Sequence, residues 1–285
     1  MNNTNEIPIF FAIDDAYAPY IAVALNSAVK NSSKSRRYRA IVLYNELSRE
    51  NQQRLAALSA EHFSIEFVNM ESRLDFITDR RSNRLRFDCF TLSIYFRLFI
   101  PTMFPQYAKG IYIDSDVVLV DDIAELYDTD IGENYIGACA DYSIFGSAPL
   151  VEYVENVVGV PMKEYINSGV LLMNMEKLRR IGFAEHFSEL LVKYHFDTVA
   201  PDQDYINAIC NGNIHYLSPV WDAMPCGEDM SGAKLIHYNL YSKPWLADGV
   251  QCGEYFWQYA ADCGYYREIM ESRERTRPVS NEESL

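Results

Sequence analysis

The hydrophobic and polar positions of the chain alternate in a way that predicts strands and helices in turn. The almost continuous apolar run at residues 9–13 is typical of a parallel strand covered on both faces, and it stops at two aspartates. Helical spacing follows at residues 17–29, then a strand at 40–44, a helix at 48–60 and a strand at 65–69. This βαβαβ order predicts an α/β fold with a right-handed, mostly parallel sheet and helices on both faces.

Further along the chain, the same patterns predict three more strands and three more helices. The predicted strands cover residues 111–120, 135–140 and 170–174, and the predicted helices cover 91–104, 184–194 and 201–210. We therefore expect one main domain over residues 1–248. Residues 249–285 are expected to form a short C-terminal helical appendage and a polar tail that frays from about residue 271.

The most informative run is residues 111–120, which two carboxylates, Asp114 and Asp116, interrupt in the middle. Buried carboxylates are costly unless they are paired or bind a metal. Side chains at positions i and i+2 of an extended segment point to one face, so both carboxylates can reach one cation. Spacing alone also fits a solvated turn, because further Asp-x-Asp triplets occur at residues 128–130 and 202–204. The flanking apolar runs favour a metal-binding strand end.

The composition is that of a globular protein and limits its partners. Of 285 residues, 49% are apolar and 23% are charged, and the formal net charge is -15. Such a charge repels phosphate backbones, so nucleic acid is not an expected partner, and an anionic ligand requires a local cation. No apolar stretch reaches the roughly 18–20 residues of a membrane span, and residues 1–6 lack the order of a signal peptide. We expect a cytoplasmic protein without stable membrane insertion, whose contacts with the inner membrane face are transient.

Two aspartates that are far apart in sequence, Asp14 and Asp114, each follow an apolar strand. Ligands of open α/β sheets bind beyond the carboxyl ends of the strands, so these two residues can share one cleft. The first strand is not followed by Gly-x-Gly-x-x-Gly, and the chain contains no Walker-type Gly-x-x-x-x-Gly-Lys. These patterns argue against dinucleotide and P-loop chemistry and indicate a nucleotide site built from carboxylates and a divalent metal.

Several short blocks along the chain resemble glycosyltransferase family 8, the group that contains glycogenin and the bacterial lipopolysaccharide galactosyl- and glucosyltransferases. In the family's order, these blocks are FAIDDAY at 11–17, YFR at 95–97, YIDSD at 112–116, NSGVLLMN at 167–174, DQD at 202–204, HY at 237–238 and KPW at 243–245. They span nearly the whole of residues 8–245. The resemblance implies a GT-A nucleotide-sugar fold, with residues 1–248 as its catalytic domain.

The resemblance also implies a function. It predicts a retaining glycosyltransferase that moves galactose or glucose from a UDP-sugar to a saccharide acceptor, in lipopolysaccharide or another cell-envelope glycan. A divalent metal on the diphosphate would stabilise the leaving group as a Lewis acid. Two alternatives stay open: a UDP-sugar-binding or scaffold protein without turnover, and a glycogenin-like initiator that glucosylates itself. A nucleotidyltransferase of similar fold lacks the Gly- and Arg-rich loop expected after the first strand.

The expected metal ligands are Asp114, Asp116 and His237. The carboxylate pair follows from the residues themselves, and the resemblance adds the histidine. An imidazole beside hard oxygens favours Mn²⁺, although Mg²⁺ also fits. The expected donor-binding residues are Asp14, Tyr17, Asp114, Ser115, Asn167, Ser168 and Lys243. The residues expected to act at the transferred sugar are Arg97, Asp202, Gln203 and Asp204.

Each of these assignments has a simpler structural alternative. Asp14 is also a suitable helix N-cap, Arg97 a suitable partner in a structural ion pair, and Asn167 with Ser168 a suitable turn. A histidine such as His237 is often only structural. For Lys243 the simpler reading is a solvated surface lysine, whereas the resemblance makes it the local cation for the diphosphate.

The acidic triplet at residues 202–204 follows Pro201, a favoured first residue of a helix. Carboxylates in the first turn of a helix gain from the helix dipole. This explanation accounts for Asp202 and Asp204 but not for Gln203. The resemblance instead places Gln203 at the reactive face of the anomeric carbon.

Three departures from the family pattern limit what can be carried over. Ala16 stands where the lipopolysaccharide enzymes often have an amide. Residues 237–243 contain no glycine, although such relatives often have one there. The tail at 271–285 carries three arginines, four glutamates and no aromatic residue, unlike a basic, aromatic tail that associates with membranes.

Overall fold

A seven-stranded sheet lies at the centre of the part of the chain that the structure describes. The computed structural model describes residues 6–71, 92–144, 146–194, 200–226, 229–240 and 242–276. The strands are β1 (Glu6–Ile13), β2 (Arg37–Tyr44), β3 (Phe63–Asn69), β4 (Gly110–Ile113), β5 (Val117–Leu119), β6 (Ile136–Ala138), β7 (Val170–Met173), β8 (Ile214–Tyr216) and β9 (Leu235–His237).

Ten α-helices accompany these strands within the described ranges. They are α1 (Ala18–Asn31), α2 (Arg49–Ala56), α3 (Ile100–Met103), α4 (Ala124–Asp128), α5 (Ala148–Tyr153), α6 (Met175–Arg180), α7 (Phe183–Tyr194), α8 (Pro201–Cys210), α9 (Gly253–Ala260) and α10 (Tyr266–Thr276). One π-helical turn, Val154–Val158, continues α5, and a 3-10 helix, Leu92–Phe99, precedes α3.

The sheet has the strand order β3-β2-β1-β4-β7-β6-β8. The pairs β1–β2, β2–β3, β1–β4 and β6–β8 are parallel, and only β7 runs antiparallel to both of its described neighbours. The first βαβαβ segment therefore has the predicted arrangement, with β1 in the middle and β2 and β3 added outwards. The predicted mostly parallel α/β sheet is confirmed.

Both faces of the sheet are covered, which explains the continuous apolar run of β1. Ile9 and Phe11 point into one hydrophobic cluster, which also contains residues of α1, α9 and α10. Phe10 points into a second cluster on the other face, with residues of Leu92–Phe99, α7 and α8. Because successive side chains of a strand alternate between faces, a strand covered on both sides needs apolar residues at every position.

Several elements differ in extent from the predictions. The helix expected at 48–60 ends at Ala56, because the chain turns back and Ala60 bridges to Phe63 at the start of β3. The helix expected at 91–104 is mainly the 3-10 segment Leu92–Phe99; its predicted first residue lies outside the described residues. The tail expected to fray from residue 271 is helical to Thr276 in α10, and its remainder lies outside the described residues.

The C-terminal helices pack against the main body. Asn26 of α1 donates to the carbonyl of Tyr259 at 2.8 Å and to Asp262 at 2.7 Å. Phe256 and Ile269 belong to the same hydrophobic cluster as β1 and α1. The domain limit at residue 248 stays a prediction. Among the helices in the described ranges, none is long and apolar enough to cross a membrane.

Candidate active site

A cleft of about 600 Å³ opens at the carboxyl end of β4. This volume lies within the range of roughly 300–1,000 Å³ that is usual for small-molecule sites. The chain leaves β4 at Asp114 and enters β5 at Val117, so the apolar run at 111–120 is two strands rather than one. The polar break between them, with Asp114 and Asp116, lies on the lining of the cleft.

Asp114, Asp116 and His237 lie together, as predicted, with one possible ligand atom of each within 4.8 Å of the others. The strand β5 leaves the main sheet and pairs antiparallel with β9, which sets Val117 opposite His237. As a result, His237 Nε2 lies 3.4 Å from Asp116 Oδ1 and 3.8 Å from Asp114 Oδ2. Two carboxylates and an imidazole facing one point form a donor set that fits a divalent cation such as Mn²⁺.

A further carboxylate, which no pattern along the chain singled out, holds the imidazole of His237 from its other side. Asp222 Oδ1 lies 2.8 Å from His237 Nδ1, and the Asp222 side chain is fully buried. Burial lowers the pKa of His237, but the carboxylates of Asp222 and Asp116 outweigh this effect and raise it well above its usual value. An acceptor on Nδ1 leaves Nε2 pointing at Asp114 and Asp116, the arrangement common for metal-binding histidines.

Gly169 allows the imidazole of His237 to occupy its position. A Cβ atom added at Gly169 would lie 2.2 Å from Cε1 and 2.8 Å from Nδ1 of His237, closer than any real contact. The block at 167–174 therefore needs glycine at this point for a steric reason. Gly169 lies directly before β7. The start of this strand therefore leaves space for the His237 ring but supplies no metal ligand.

Arg97 is buried and joins two carboxylates of the cleft. Its Nη2 donates to Asp114 Oδ1 at 2.8 Å, and its Nε lies 3.1 Å from Asp202 Oδ2. The guanidinium also lies over the ring of Tyr112, 4.2 Å from its centroid. Burial lowers the pKa of Arg97, but Asp114 and Asp202 raise it above its usual value. The structural ion pair considered from sequence is present, and Arg97 also lines the cleft.

Gln203 has both ends of its amide hydrogen-bonded. Its Oε1 accepts from the Ser168 backbone N–H at 3.0 Å, and its Nε2 donates to Asp141 Oδ2 at 2.9 Å. Asp141 Oδ2 also accepts from Asn167 at 3.3 Å. Asp141 is buried and lines the cleft, and sequence reasoning missed it because it follows a short strand outside the blocks of the resemblance. These contacts fix the orientation of the Gln203 amide.

Asp202 and Asp204 have different environments although they flank Gln203 in the first turn of α8. Asp202 lines the cleft, contacts Arg97 and accepts from Ser168 Oγ at 3.1 Å. Asp204 accepts from the hydroxyls of Tyr165 at 2.6 Å and Tyr153 at 2.7 Å. Burial raises the pKa of both carboxyls. The two tyrosines line the cleft in front of Asp204.

Lys243 supplies a cation beside the metal cluster. Its Nζ donates to Asp116 Oδ2 and, at 3.1 Å, to the Tyr238 carbonyl. Burial lowers the pKa of Lys243, but Asp116 outweighs this effect and raises it. The cleft next to Lys243 has an aromatic lining in which Tyr20 stacks on Trp245 at 4.3 Å, and Tyr17 lies 5.4 Å from Tyr20. Lys243 is therefore not the solvated surface lysine that its residue type alone would suggest.

The cleft brings together most of the site residues predicted from sequence. The predicted residues on its lining are Tyr17, Arg97, Asp114, Asp116, Asn167, Asp202, Gln203, His237 and Lys243. Within the described residues, those that do not line it are Asp14, Ser115, Ser168 and Asp204. Asp14 caps the turn after β1 and accepts from the Tyr17 backbone N–H at 3.2 Å, as its N-cap alternative predicted.

On the lining of the cleft, Leu240 has a left-handed backbone with φ of 49°. A leucine there costs about 1–2 kcal/mol, whereas glycine adopts such a φ freely. The side chain is 48% exposed, so this strained position presents an apolar group on the cleft lining.

Comparisons with known proteins agree with the geometry. A model of Glycosyl transferase family 8 matches residues 8–249. A Haemophilus influenzae protein named as a glycosyltransferase is 27% identical over 222 residues, which cover 78% of this chain and 64% of that protein. The glycosyltransferase GlyE of Streptococcus pneumoniae is 25% identical over 281 residues, 91% of this chain and 62% of GlyE. The chain therefore spans a little under two thirds of each of these relatives.

Solved structures show the same fold. The galactosyltransferase LgtC, solved with donor and acceptor sugar analogues, is 27% identical with a TM-score of 0.73, over 90% of this chain and 95% of LgtC. The bifunctional glycosyltransferase WbbM has a TM-score of 0.80 at 24% identity, over 94% of this chain and 52% of WbbM. With a family match over most of its length and a GT-A fold, the chain belongs to glycosyl transferase family 8.

Proposed function

We propose that this protein is a metal-dependent, retaining hexosyltransferase. It would transfer galactose or glucose from UDP-galactose or UDP-glucose to a saccharide acceptor of the cell envelope. The observation that carries the proposal is the meeting of Asp114, Asp116 and His237 in one cleft with Lys243 and Gln203. The likeness to LgtC, a galactosyltransferase with donor and acceptor sites, supports the choice of hexose and of a saccharide acceptor.

The proposed chemistry begins at the diphosphate. Asp114, Asp116 and His237 would hold Mn²⁺ or Mg²⁺, which when bound neutralises the departing phosphate as a Lewis acid. Lys243 would add a positive charge at the same place, because its ammonium already lies against Asp116. Arg97 would keep Asp114 in position through its 2.8 Å contact. Tyr17 would provide an aromatic face for the uracil ring.

Gln203 would act at the transferred sugar. A carbon that becomes oxocarbenium-like gains from a fixed, electron-rich oxygen that needs no reorganisation. The amide of Gln203 has this property, because Ser168 and Asp141 hold both of its ends. Asp202 and Asn167 also line the cleft. Asp202 would accept hydrogen bonds from sugar hydroxyls, and Asn167 would both donate and accept them.

The metal provides the first test of this proposal. Release of UDP would be measured with UDP-galactose and UDP-glucose, with and without saccharide acceptors, in the presence of Mn²⁺. We expect turnover to vanish in EDTA and to return best with Mn²⁺, and Asp116→Asn and His237→Ala to weaken metal-dependent UDP binding. Full turnover in excess EDTA would overturn the metal role.

The same assay distinguishes the alternatives. Tight UDP-sugar binding without UDP release, across all acceptors, would indicate a binding or scaffold protein. A gain in mass of the protein itself after incubation with UDP-glucose would indicate a self-glucosylating initiator. A product whose anomeric configuration differs from that of the α-linked donor would contradict retention.

Gln203 provides the second test. Interactions that are made only in the transition state lower kcat when they are removed, so Gln203→Ala should keep UDP-sugar binding and lose about 10- to 1000-fold in kcat. Asn211→Ala, at an exposed position just after α8, is the matched control and should leave kcat unchanged. Near-normal kcat in a folded Gln203→Ala protein would show that this residue does not act at the reacting carbon.

A further inference from the structure

The segment between β6 and β7 forms a small hydrophobic unit of its own. In its described part, residues 142–144 and 146–165, it contains α5 and the π-helical turn Val154–Val158. Its buried apolar residues form a cluster separate from the two clusters of the sheet, made of Ile144, Val154, Val160, Met162 and Tyr165. We refer to these residues as the 142–165 segment.

The 142–165 segment forms one wall of the cleft, and part of this wall is aliphatic. Ile144, Leu150 and Val154 line the cleft, next to Tyr153 and Tyr165. The cationic and aromatic part of the cleft, with Lys243, is contributed by other elements. A UDP-sugar bound as proposed would place its diphosphate at the metal cluster and Lys243 and its sugar at Gln203. The aliphatic wall is then left for the acceptor.

The chemistry of this wall does not suit an unsubstituted sugar. Sugar hydroxyls need hydrogen-bond partners, and burying them against aliphatic side chains without such partners is unfavourable. Ile144, Leu150 and Val154 offer neither donors nor acceptors. The hydroxyls that the same segment adds to the lining, those of Ser143, Tyr153 and Tyr165, already donate to Asp141 or Asp204. The apolar side chains of Leu240 and Leu246, 48% and 44% exposed, also belong to the lining of the cleft.

We propose that the 142–165 segment forms an acceptor subsite for a saccharide that carries an apolar aglycone, such as an alkyl or lipid chain. This inference rests on the function proposed above and specifies its acceptor class. The polar group on the acceptor would lie on the polar part of the cleft lining, beside the transferred sugar. Its apolar group would lie against Leu150 and its neighbours, where burial removes apolar surface from water.

Asp204 is the positioning residue of this subsite. Its carboxylate accepts hydrogen bonds from the hydroxyls of Tyr153 and Tyr165, which lie at two separate points of the 142–165 segment. Its Oδ2 also accepts from the backbone N–H of Ala200 at 3.2 Å. One carboxylate at the start of α8 thus connects the segment to the helix that carries Gln203. Hydrogen bonds to a carboxylate are stronger than those to a neutral group, so this connection is suitable for fixing the position of the 142–165 segment.

The first experiment measures acceptor binding directly. Calorimetry on the full chain with Mn²⁺ and UDP would compare methyl and n-octyl glycosides of galactose, glucose and lactose below their micelle concentrations. We expect the octyl member of at least one pair to bind ten times more tightly or better. Leu150→Ser should remove most of this preference, whereas Val157→Ser, an exposed position of the same segment that does not line the cleft, should keep it.

Equal affinity for methyl and octyl glycosides in every pair would overturn the proposal. So would an octyl preference that Leu150→Ser and Val157→Ser reduce equally, because binding would then occur elsewhere. A preference that depends on Leu150 in a protein without UDP-sugar turnover would leave the subsite standing and refute the proposed transferase activity. The two failures are therefore distinguishable.

The second experiment tests Asp204. Tyr153→Phe and Tyr165→Phe each remove one hydroxyl, and Asp204→Asn removes the charge. We expect all three to weaken octyl glycoside binding or raise the acceptor KM at least fivefold, with UDP affinity unchanged within twofold. A fall in kcat at unchanged acceptor KM, seen in Asp204→Asn but not in the tyrosine variants, would instead place Asp204 at the reaction centre and overturn its positioning role.

Discussion

The environment of His237 shows how single residues determine what the metal cluster can do. The imidazole is enclosed by Asp222 on one nitrogen, by Asp116 on the other, and by Gly169 against its Cε1 edge. These three neighbours constrain the orientation of the ring. The residues around a ligand therefore matter as much as the ligand itself.

Replacing Asp222 by Asn should weaken metal binding without removing a ligand. The amide can still accept from His237 Nδ1, but it no longer carries the charge that makes the imidazole a better donor. Loss of such supporting carboxylates typically costs about 10- to 100-fold in metal affinity, and we expect a loss of this size in a Mn²⁺ titration. Asp121→Asn, which removes the same charge at a 43% exposed side chain, should leave the affinity unchanged. Equal affinities in the two variants would contradict the role of Asp222.

Gly169→Ala tests the steric requirement of the same ring. The new methyl group would overlap His237 Cε1, so the ring or the backbone has to move. Overpacking of this kind costs about 1–3 kcal/mol, and we expect a loss of that order in the free energy of unfolding by urea, together with weaker Mn²⁺ binding. Gly146→Ala is the control, because among the described residues, apart from its chain neighbours, no atom lies within 4 Å of the added Cβ. A Gly169→Ala protein with normal stability and metal affinity would show that the strand end adapts freely.

At the scale of elements, one strand pairing and one helix build the site, and the packing of a second helix supports it. The β5–β9 ribbon brings His237 to Asp116, and α8 brings Asp202 and Gln203 to the cleft from the other side. Behind the ribbon, Phe256 of α9 lies 4.9 Å from the Trp245 ring, on the cleft lining, and 6.0 Å from the Tyr238 ring. The C-terminal helices thus support the segment that carries Lys243.

Phe256→Ala should therefore be strongly destabilising. Removal of a fully buried phenylalanine ring typically costs about 3–5 kcal/mol, and we expect a lower thermal midpoint and a lower free energy of unfolding by that amount. Tyr255→Ala, on the same helix but 37% exposed, should cost much less. If the two variants were equally stable, residues 249–285 would be a loosely attached appendage rather than a support for the site.

At the scale of the whole molecule, an acidic chain holds two buried cations in a cleft that also contains the carboxylates of Asp114, Asp116, Asp141 and Asp202. The chain carries a formal net charge of -15, yet Arg97 and Lys243 place two buried cations in the cleft. An overall negative charge disfavours polyanionic partners, whereas local cations beside a metal site favour a diphosphate. The molecule is suited to small anionic donors and unsuited to anionic surfaces.

We expect the protein to remain in the supernatant when mixed with vesicles that contain anionic lipid at physiological salt. Polybasic segments gain about 1 kcal/mol for each Lys or Arg near such a surface, and this acidic chain has no comparable gain overall. Neutral vesicles that display an alkyl glycoside provide the comparison, since the proposed acceptor subsite predicts transient binding there. Strong sedimentation with anionic vesicles alone would contradict this expectation.

The sequence by itself determined the class of the fold and part of the site. Side-chain alternation and helical spacing are local properties, so the strands around Asp14 and Asp114 and the helix at residues 201–210 could be predicted from neighbouring residues. The Asp114–Asp116 pair could be predicted for the same reason, because positions two apart in an extended segment share a face. The assignment of His237 as a third metal ligand came from the family resemblance and not from the spacing of residues.

The tertiary structure decided which distant residues meet. The contact of Asp222 with His237, the close approach of Gly169, the bond between Asp141 and Gln203 and the two tyrosines on Asp204 all join residues far apart in the chain. No local pattern encodes such contacts, because they depend on how strand ends and loops come together once both sheet faces are packed. For this reason the acidic triplet at 202–204 could be identified from sequence. Only the folded structure shows that Asp202 and Gln203 line the cleft, whereas Asp204 accepts hydrogen bonds from two tyrosines of the 142–165 segment.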